Sequence, residues 1–291
     1  MQLRPLGPGA PAVTAVSFGA MPLSLAGRPS EAQAVAVLHA ALDAGVTLID
    51  TANVYCEGES DIGHNERLVA QALRTWQGPR EAVVVATKGG LTRPRGAWVR
   101  DGRPGAITRS CDASLRALGV ERIDLYQLHA LDERVPLADS VGALADLQRT
   151  GKIRWIGVSN FSVADIDEAL TLCDVVTVQN RLNPFFREAL DEGVLAHCRT
   201  LGIGFLAYSP VGGGRLNRTL PGHSVVAGIA RTHGVSAHAV VEAWVLAQAP
   251  NVIIIPGART VEHARDSLTA DALALSPGEL DAIDRAEFSR A

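Results

Sequence analysis

The chain has 291 residues, 47% of them apolar, and a formal charge of -4 with acids and bases interspersed. That length suits one (β/α)8 barrel of about 250 residues better than two domains of average size. No apolar run approaches the roughly 18 residues of a membrane span, and no basic stripe invites nucleic acid or an anionic membrane. Cys56, Cys111, Cys173 and Cys198 are scattered without CxxC spacing or clustered histidines, which argues against a disulfide framework or a metal site. The opening MQLRPLGPG lacks a charged-then-apolar signal pattern, so a reducing cytoplasm is the expected compartment.

In chain order, a hairpin turning at Gly7-Pro8-Gly9 is expected first, then a strand over Val13 to Phe18 that opens into Gly19-Ala20-Met21-Pro22. Ser30 reads as an N-cap with Gln33 as its capping-box partner, and Val35, Leu38 and Leu42 make a helical stripe that stops at Gly45. Val46, Leu48 and Ile49 form a short buried-strand run ending in Asp50, with Tyr55 on the following loop. Leu68 to Trp76 marks a helix, Ala82 to Ala86 a strand ending at Lys88, and Leu115 and Leu118 a helix closed by Gly119. Ile123 to Leu128 ends at His129, and the stripe from Leu137 to Leu147 closes at Gly151.

The second half keeps this rhythm. Strands Ile153 to Val158, Val175 to Val178, Ile203 to Ala207 and Val252 to Ile255 end at Ser159-Asn160, Gln179, Tyr208 and Pro256-Gly257. Helical segments lie between them: one capped by Ser162, one over Glu188 to Arg199 and one over Ser224 to Gln248. A last helix starts at Ser276-Pro277-Gly278-Glu279. Eight continuous apolar strands with helices between them predict a single (β/α)8 TIM-barrel domain over residues 1–291, with an N-terminal hairpin and an extra C-terminal helix.

Asp50, Lys88, His129, Asn160, Gln179 and Tyr208 then fall at or just past six different strand ends, which a barrel brings to one mouth. Taken singly, Asp50 could cap a turn, Lys88 end a loop and His129 sit satisfied under one. Together their types fit one job. A phenol near pKa 10 transfers protons at neutral pH only beside a cation, and a carboxylate can hold that cation; Tyr55, Lys88 and Asp50 supply the three. A neutral His129 could orient a carbonyl oxygen that Tyr55 protonates. With no Ser-His-Asp arrangement, metal spacing or flavin fingerprint, a carbonyl reduction needs hydride from a nicotinamide.

GVTLIDTA with Tyr55, VVVATKGG, RIDLYQLH, GKIRWIGVSNF, VTVQN, AYSPVGGG and IIIPGART occur in this order, and the chain resembles the aldo-keto reductase family over its full length. The resemblance implies NADPH-dependent reduction of an aldehyde or ketone, with Asp50, Tyr55, Lys88 and His129 as the catalytic tetrad. It further implies Ser159, Asn160 and Gln179 on the nicotinamide carboxamide, Tyr208 stacked on its ring, and Ser209, Val211 and Gly213 along the pyrophosphate. Pro256, Gly257, Arg259 and Thr260 would take the adenosine end, with Arg259 on the 2′-phosphate. His263 and Ser267 stand there where family members often carry Arg and Asn.

A nicotinamide-binding regulatory subunit and a Schiff-base lyase using Lys88 are the rival functions. The complete tetrad argues against the first, and Asp50 and Tyr55 beside Lys88 against the second. The substrate pocket is expected from Met21 to Leu25, from Gly89 to Gly105 with Trp98, and from the turn after Tyr208. Trp98 reads equally as a substrate-facing ring or a loop anchor. The short tail after the last helix favours an open site for varied aldehydes over a steroid pocket.

Overall fold

The computed structural model describes residues 1–290. The chain opens with β1 (Leu3–Pro5) and β2 (Ala12–Thr14), paired antiparallel. Next come β3 (Phe18–Gly19), α1 (Glu31–Asp43), β4 (Leu48–Asp50), α2 (His64–Thr75) and β5 (Val84–Gly89). A small hairpin, β6 (Leu91–Thr92) with β7 (Val99–Arg100), precedes α3 (Pro104–Leu118). Then follow β8 (Ile123–Leu128), α4 (Leu137–Arg149), β9 (Ile153–Ser159), α5 (Val163–Leu170), β10 (Val175–Arg181), α6 (Glu188–Asp191) and α7 (Val194–Leu201). The last elements are β11 (Gly204–Tyr208), α8 (Gly213–Leu216), α9 (Ser224–His233), α10 (Ala237–Ala247), β12 (Val252–Ile254), α11 (Val261–Leu268) and α12 (Pro277–Arg285).

β3, β4, β5, β8, β9, β10, β11 and β12 form one parallel sheet in that order. It closes on itself where Val16 bridges Ile254 in parallel, with Ile254 N–H donating to Ala15 O at 2.9 Å and Ser17 N–H to Ile254 O at 2.9 Å. Every strand therefore has two covered faces. Ile49, Val85, Tyr126, Ile156, Phe205 and Ile254 point outward and pack with helix residues such as Leu38, Leu68 and Leu144. The alternate positions Leu48, Val84, Ala86, Leu125, Trp155, Leu206 and Ile253 point inward as a second, separate core. Each fully buried aliphatic side chain in these layers contributes roughly 1.5–3 kcal/mol.

The opening hairpin plugs the lower end of that inner core. Leu6 and Val13 join it, and Trp155 Nε1 donates to Gly9 O at 3.3 Å. Arg4 Nη1 is tied to the carbonyls of Leu246, Ala249 and Val252 at 3.0, 2.9 and 2.6 Å. The inner space is thus filled from below, and polar side chains can occupy it only at the upper ends of the strands.

Several boundaries differ from the sequence expectation. The run Val13 to Phe18 is not one strand: its first residues belong to the hairpin, and only Phe18–Gly19 pairs with β4. The segments Glu188 to Arg199 and Ser224 to Gln248 each break into two helices, at Gly193 (φ +77°) and Gly234 (φ +66°). Left-handed backbone of this kind ends a helix, and glycine adopts it without a Cβ clash. Ser30 caps α1 by accepting from Gln33 N–H, but Gln33 does not complete a capping box; its Nε2 donates instead to Arg259 O at 3.0 Å. Full capping boxes do occur at Ser162/Asp165 and Ser276/Glu279.

Candidate active site

Because side chains alternate across a strand, the inward register that carries Leu48 continues to Asp50, and that of Val84 and Ala86 continues to Lys88. Leu125 leads in the same way to Gln127, and Gln179 enters from β10. Lys88 Nζ donates to Asp50 Oδ2 at 2.6 Å, to Thr51 O at 2.9 Å and to Tyr55 Oη at 3.0 Å. The other carboxylate oxygen of Asp50 accepts from Gln179 Nε2 at 2.8 Å and from Gln127 Nε2 at 3.3 Å. Asp50, Lys88, Gln127 and Gln179 are all buried. Tyr55 comes from the loop after β4 and meets the His129 ring edge-on, with centroids 5.8 Å apart.

Burial dominates the electrostatics. It pushes the Tyr55 phenol well above its usual range, reinforced by the nearby charge of Asp50, so the group stays protonated. Burial also lowers the Lys88 ammonium, against the opposing pull of Asp50. His129 is held well below the usual imidazole range, first by burial and then by the charge on Lys88, which leaves it neutral at physiological pH. Its Nδ1 is buried and meets no protein partner. The lowered phenol pKa expected from a neighbouring cation is therefore not the resting condition of this site.

The next strand ends form a polar rim. Asn160 Nδ2 donates to His129 O at 3.0 Å, and Tyr208 Oη donates to Asn160 Oδ1 at 2.8 Å. Ser159 Oγ donates to Gln179 O at 2.8 Å. Asn160 (φ +62°) and Ser209 (φ +50°) both hold left-handed backbone, a strain of order 1–3 kcal/mol that persists where surrounding contacts impose it. One such contact is Asn183 Nδ2, which donates to Ser209 O at 2.9 Å. Gln179 spends its amide N–H groups on Asp50 and Gln127, so only its Oε1 remains available toward the rim. Val211 packs against the core, and Gly213 starts the short α8.

The predicted adenosine end is arranged less openly. Arg259 Nε donates to Pro22 O at 3.1 Å and its Nη2 to Ala26 O at 2.9 Å, so the guanidinium ties down the loop after β3. Thr260 caps α11 by accepting from His263 N–H at 3.2 Å. The Glu262 carboxylate, held below its usual range by its own backbone N–H and by the Thr260 hydroxyl, also sits at that helix start. Ser267 Oγ turns inward and donates to the buried Glu242 at 3.0 Å. Pro256 accepts from Gly19 N–H at 2.9 Å, and Gly257 lies against Pro22. Arg259 and Glu262 thus both stand at the start of α11, the guanidinium engaged by the loop after β3 and the carboxylate by the helix N-terminus.

Trp98, on the hairpin after β5, stands 6.3 Å from both the Tyr55 and His129 ring centroids. Met21 lies in a 3-10 turn after β3 and is partly exposed. Cys56 is fully buried, and burial raises its thiol pKa. A cavity of about 190 Å³ lined by Leu73, Arg74, Val85, Leu118 and Ile123 lies at the opposite strand ends and includes none of these residues. Sequence reasoning missed Gln127, whose position in the inward register after Leu125 would have signalled it. Among the described residues no group of three His, Cys, Asp or Glu could hold a metal ion.

The fold is a closed parallel barrel with a lysine, an aspartate and a phenol hydrogen-bonded at its mouth. Residues 15–287 match the model of the aldo/keto reductase family, and the chain belongs to that family. It is accordingly an NAD(P)H-dependent oxidoreductase. An uncharacterised oxidoreductase of Schizosaccharomyces pombe is 33% identical over 269 residues, covering 91% of this chain and 83% of that protein. The glycerol dehydrogenase structure from Gluconobacter oxydans superposes with a TM-score of 0.84 at 30% identity, covering 97% of this chain and 94% of that one. An aldo/keto reductase of Klebsiella pneumoniae in complex with NADP and acetate gives a TM-score of 0.81 at 30% identity, with coverage of 98% and 95%. Among the described residues no helix is long and apolar enough to cross a membrane.

Proposed function

We propose that this chain, acting as one barrel unit, reduces aldehyde or ketone carbonyls to alcohols with NADPH, and that Tyr55 is the proton donor. The observation that carries the reading is the single buried ammonium, Lys88, shared between the Asp50 carboxylate and the Tyr55 hydroxyl. A bound nicotinamide would supply the hydride, and the NADP named in the Klebsiella structure supports NADPH as its source. Ser159, Asn160 and the free Oε1 of Gln179 would bind its carboxamide, and the Tyr208 ring would cover one face.

The remaining chemistry belongs to this chain's own side chains. Neutral His129 donates a hydrogen bond that orients the substrate oxygen. As negative charge grows on that oxygen, Tyr55 hands over its proton, and Lys88 stabilises the phenolate left behind. Asp50 keeps Lys88 in place, while Gln127 and Gln179 keep Asp50 in place. Burial, which holds Tyr55 protonated at rest, keeps the acid loaded until the substrate arrives.

A Schiff base needs a lone pair on Nζ, and an ammonium that donates to Asp50, Thr51 and Tyr55 has none to offer. A panel of aldehydes and ketones assayed by NADPH oxidation tests the proposal. Turnover of several carbonyls supports it, and NADPH binding without any turnover favours a regulatory subunit.

A further inference from the structure

Arg93 is the one arginine among the described residues that the fold buries almost completely, at 6% exposure. Its Nε and Nη1 are shut off from solvent and meet no hydrogen-bond acceptor. Its Nη2 makes only a long contact, 3.4 Å, to the carbonyl of Glu57. Two acids of the loop after Cys56 pair with another arginine: Asp61 lies 2.6 Å and Glu57 4.0 Å from Arg28. What covers the guanidinium is the Trp98 ring, whose centroid is 4.0 Å from Cζ. Burying a cation without an acid costs more than stacking on an aromatic face returns. A buried unpaired guanidinium is therefore a position prepared for an anion that the chain itself does not provide.

Its location says which anion. Arg93 is carried by the hairpin of β6 and β7, and its stacking partner Trp98 is also in edge contact with Tyr55 and His129. Its charge reaches Cys56, the residue after Tyr55. A ligand that places a carbonyl at Tyr55 and extends past Trp98 meets this guanidinium next. Trp98, 47% exposed, stands between the guanidinium and the solvent at the mouth. We infer that Arg93 is a specificity-determining residue that binds a carboxylate carried by the carbonyl substrate, so that oxo-acids are the preferred substrate class. This rests on the proposed reductase activity. A carboxylate suits the site because its two oxygens accept from adjacent N–H groups of the planar fork.

Matched substrate pairs test it: benzaldehyde against 4-carboxybenzaldehyde, and butanal against 4-oxobutanoate. The wild-type enzyme should show the higher kcat/KM for the carboxylate member of at least one pair, with the advantage shrinking as salt is raised. Arg93→Gln should cut kcat/KM for that member about ten- to a hundredfold, mostly through KM, while the neutral member changes little. Arg93→Lys keeps the charge but not the fork and should fall between. A wild-type enzyme that turns over the neutral members as well as the carboxylates overturns the inference without any variant. Equal losses for both members in Arg93→Gln also overturn it, since they mean that Arg93 only holds Trp98 in place. If neither member of either pair is reduced, the reductase reading fails instead.

Discussion

Lys88 Nζ sits 2.6 Å from Asp50 Oδ2 with both side chains buried, which makes this ion pair the fixed point on which Tyr55 is hung. Removing the cation leaves a carboxylate that only two glutamine amides still approach. Lys88→Met should therefore lose stability of order 3–5 kcal/mol, the cost of an uncompensated buried charge. Denaturant unfolding at neutral pH measures this. A midpoint equal to wild type would mean the pair contributes no more than an apolar contact.

Glu242 gives a pH-dependent test remote from the chemistry. Burial, opposed by the Ser267 hydroxyl, pushes its carboxyl up to about 8 from the ordinary 4.5. The folded chain thus favours the protonated form. The resulting stability is complete below about pH 4.5 and is lost as pH rises to about 8, at about 1.4 kcal/mol per pKa unit. Glu242→Gln removes this slope and should be more stable than wild type by a few kcal/mol at pH 8.5, but not at pH 4. Parallel melting curves for the two proteins from acid to alkali would reject the assignment.

The strands and their polar ends were legible in the sequence because continuous apolar runs stop abruptly at Asp50, Lys88, His129 and Tyr208. The long helical stretches were not, since Gly193 and Gly234 look like tolerated interior glycines until tertiary packing sets their φ positive. The hairpin carrying Trp98 has strands of only two residues, too short to show alternation. Gln127 sits inside an apolar strand with no chain break to mark it, and Arg93 looks like any loop cation. What sequence could not convey was direction: which way Ser267 turns, and that Gln179 gives its amide to Asp50.

At the proposed adenosine end, Glu262 stands beside Arg259 as a competing charge. Arg259→Ala should weaken NADPH about tenfold or more and NADH much less, because a hydrogen bond to a charged group is worth roughly 1.5–3 kcal/mol. Glu262→Gln should act oppositely and strengthen NADPH about two- to fivefold, since its carboxylate occupies the α11 start where the 2′-phosphate is expected. Fluorescence titration of both cofactors reads each change. Equal shifts for NADPH and NADH in either variant would show that these residues do not sense the 2′-phosphate.

The thiols should be inert in the folded enzyme. Cys56, Cys111 and Cys198 are buried, and burial raises all four thiols, Cys173 to about 11. A thiol reagent at pH 8 should leave activity intact over the time in which it fully labels unfolded protein. Rapid inactivation prevented by Cys56→Ser would show that the loop after Tyr55 opens far more readily than its packing implies.

The Tyr55 hydroxyl is the proposed proton donor. The measurement is single-turnover reduction of an aldehyde by the Tyr55→Phe enzyme saturated with NADPH, alongside cofactor binding by fluorescence. General acid catalysis commonly supplies about 10²–10⁴-fold, so the hydride-transfer rate should fall at least about a hundredfold while NADPH affinity stays at the wild-type value. A Tyr55→Phe enzyme that reduces the aldehyde at a rate close to wild type would contradict the account.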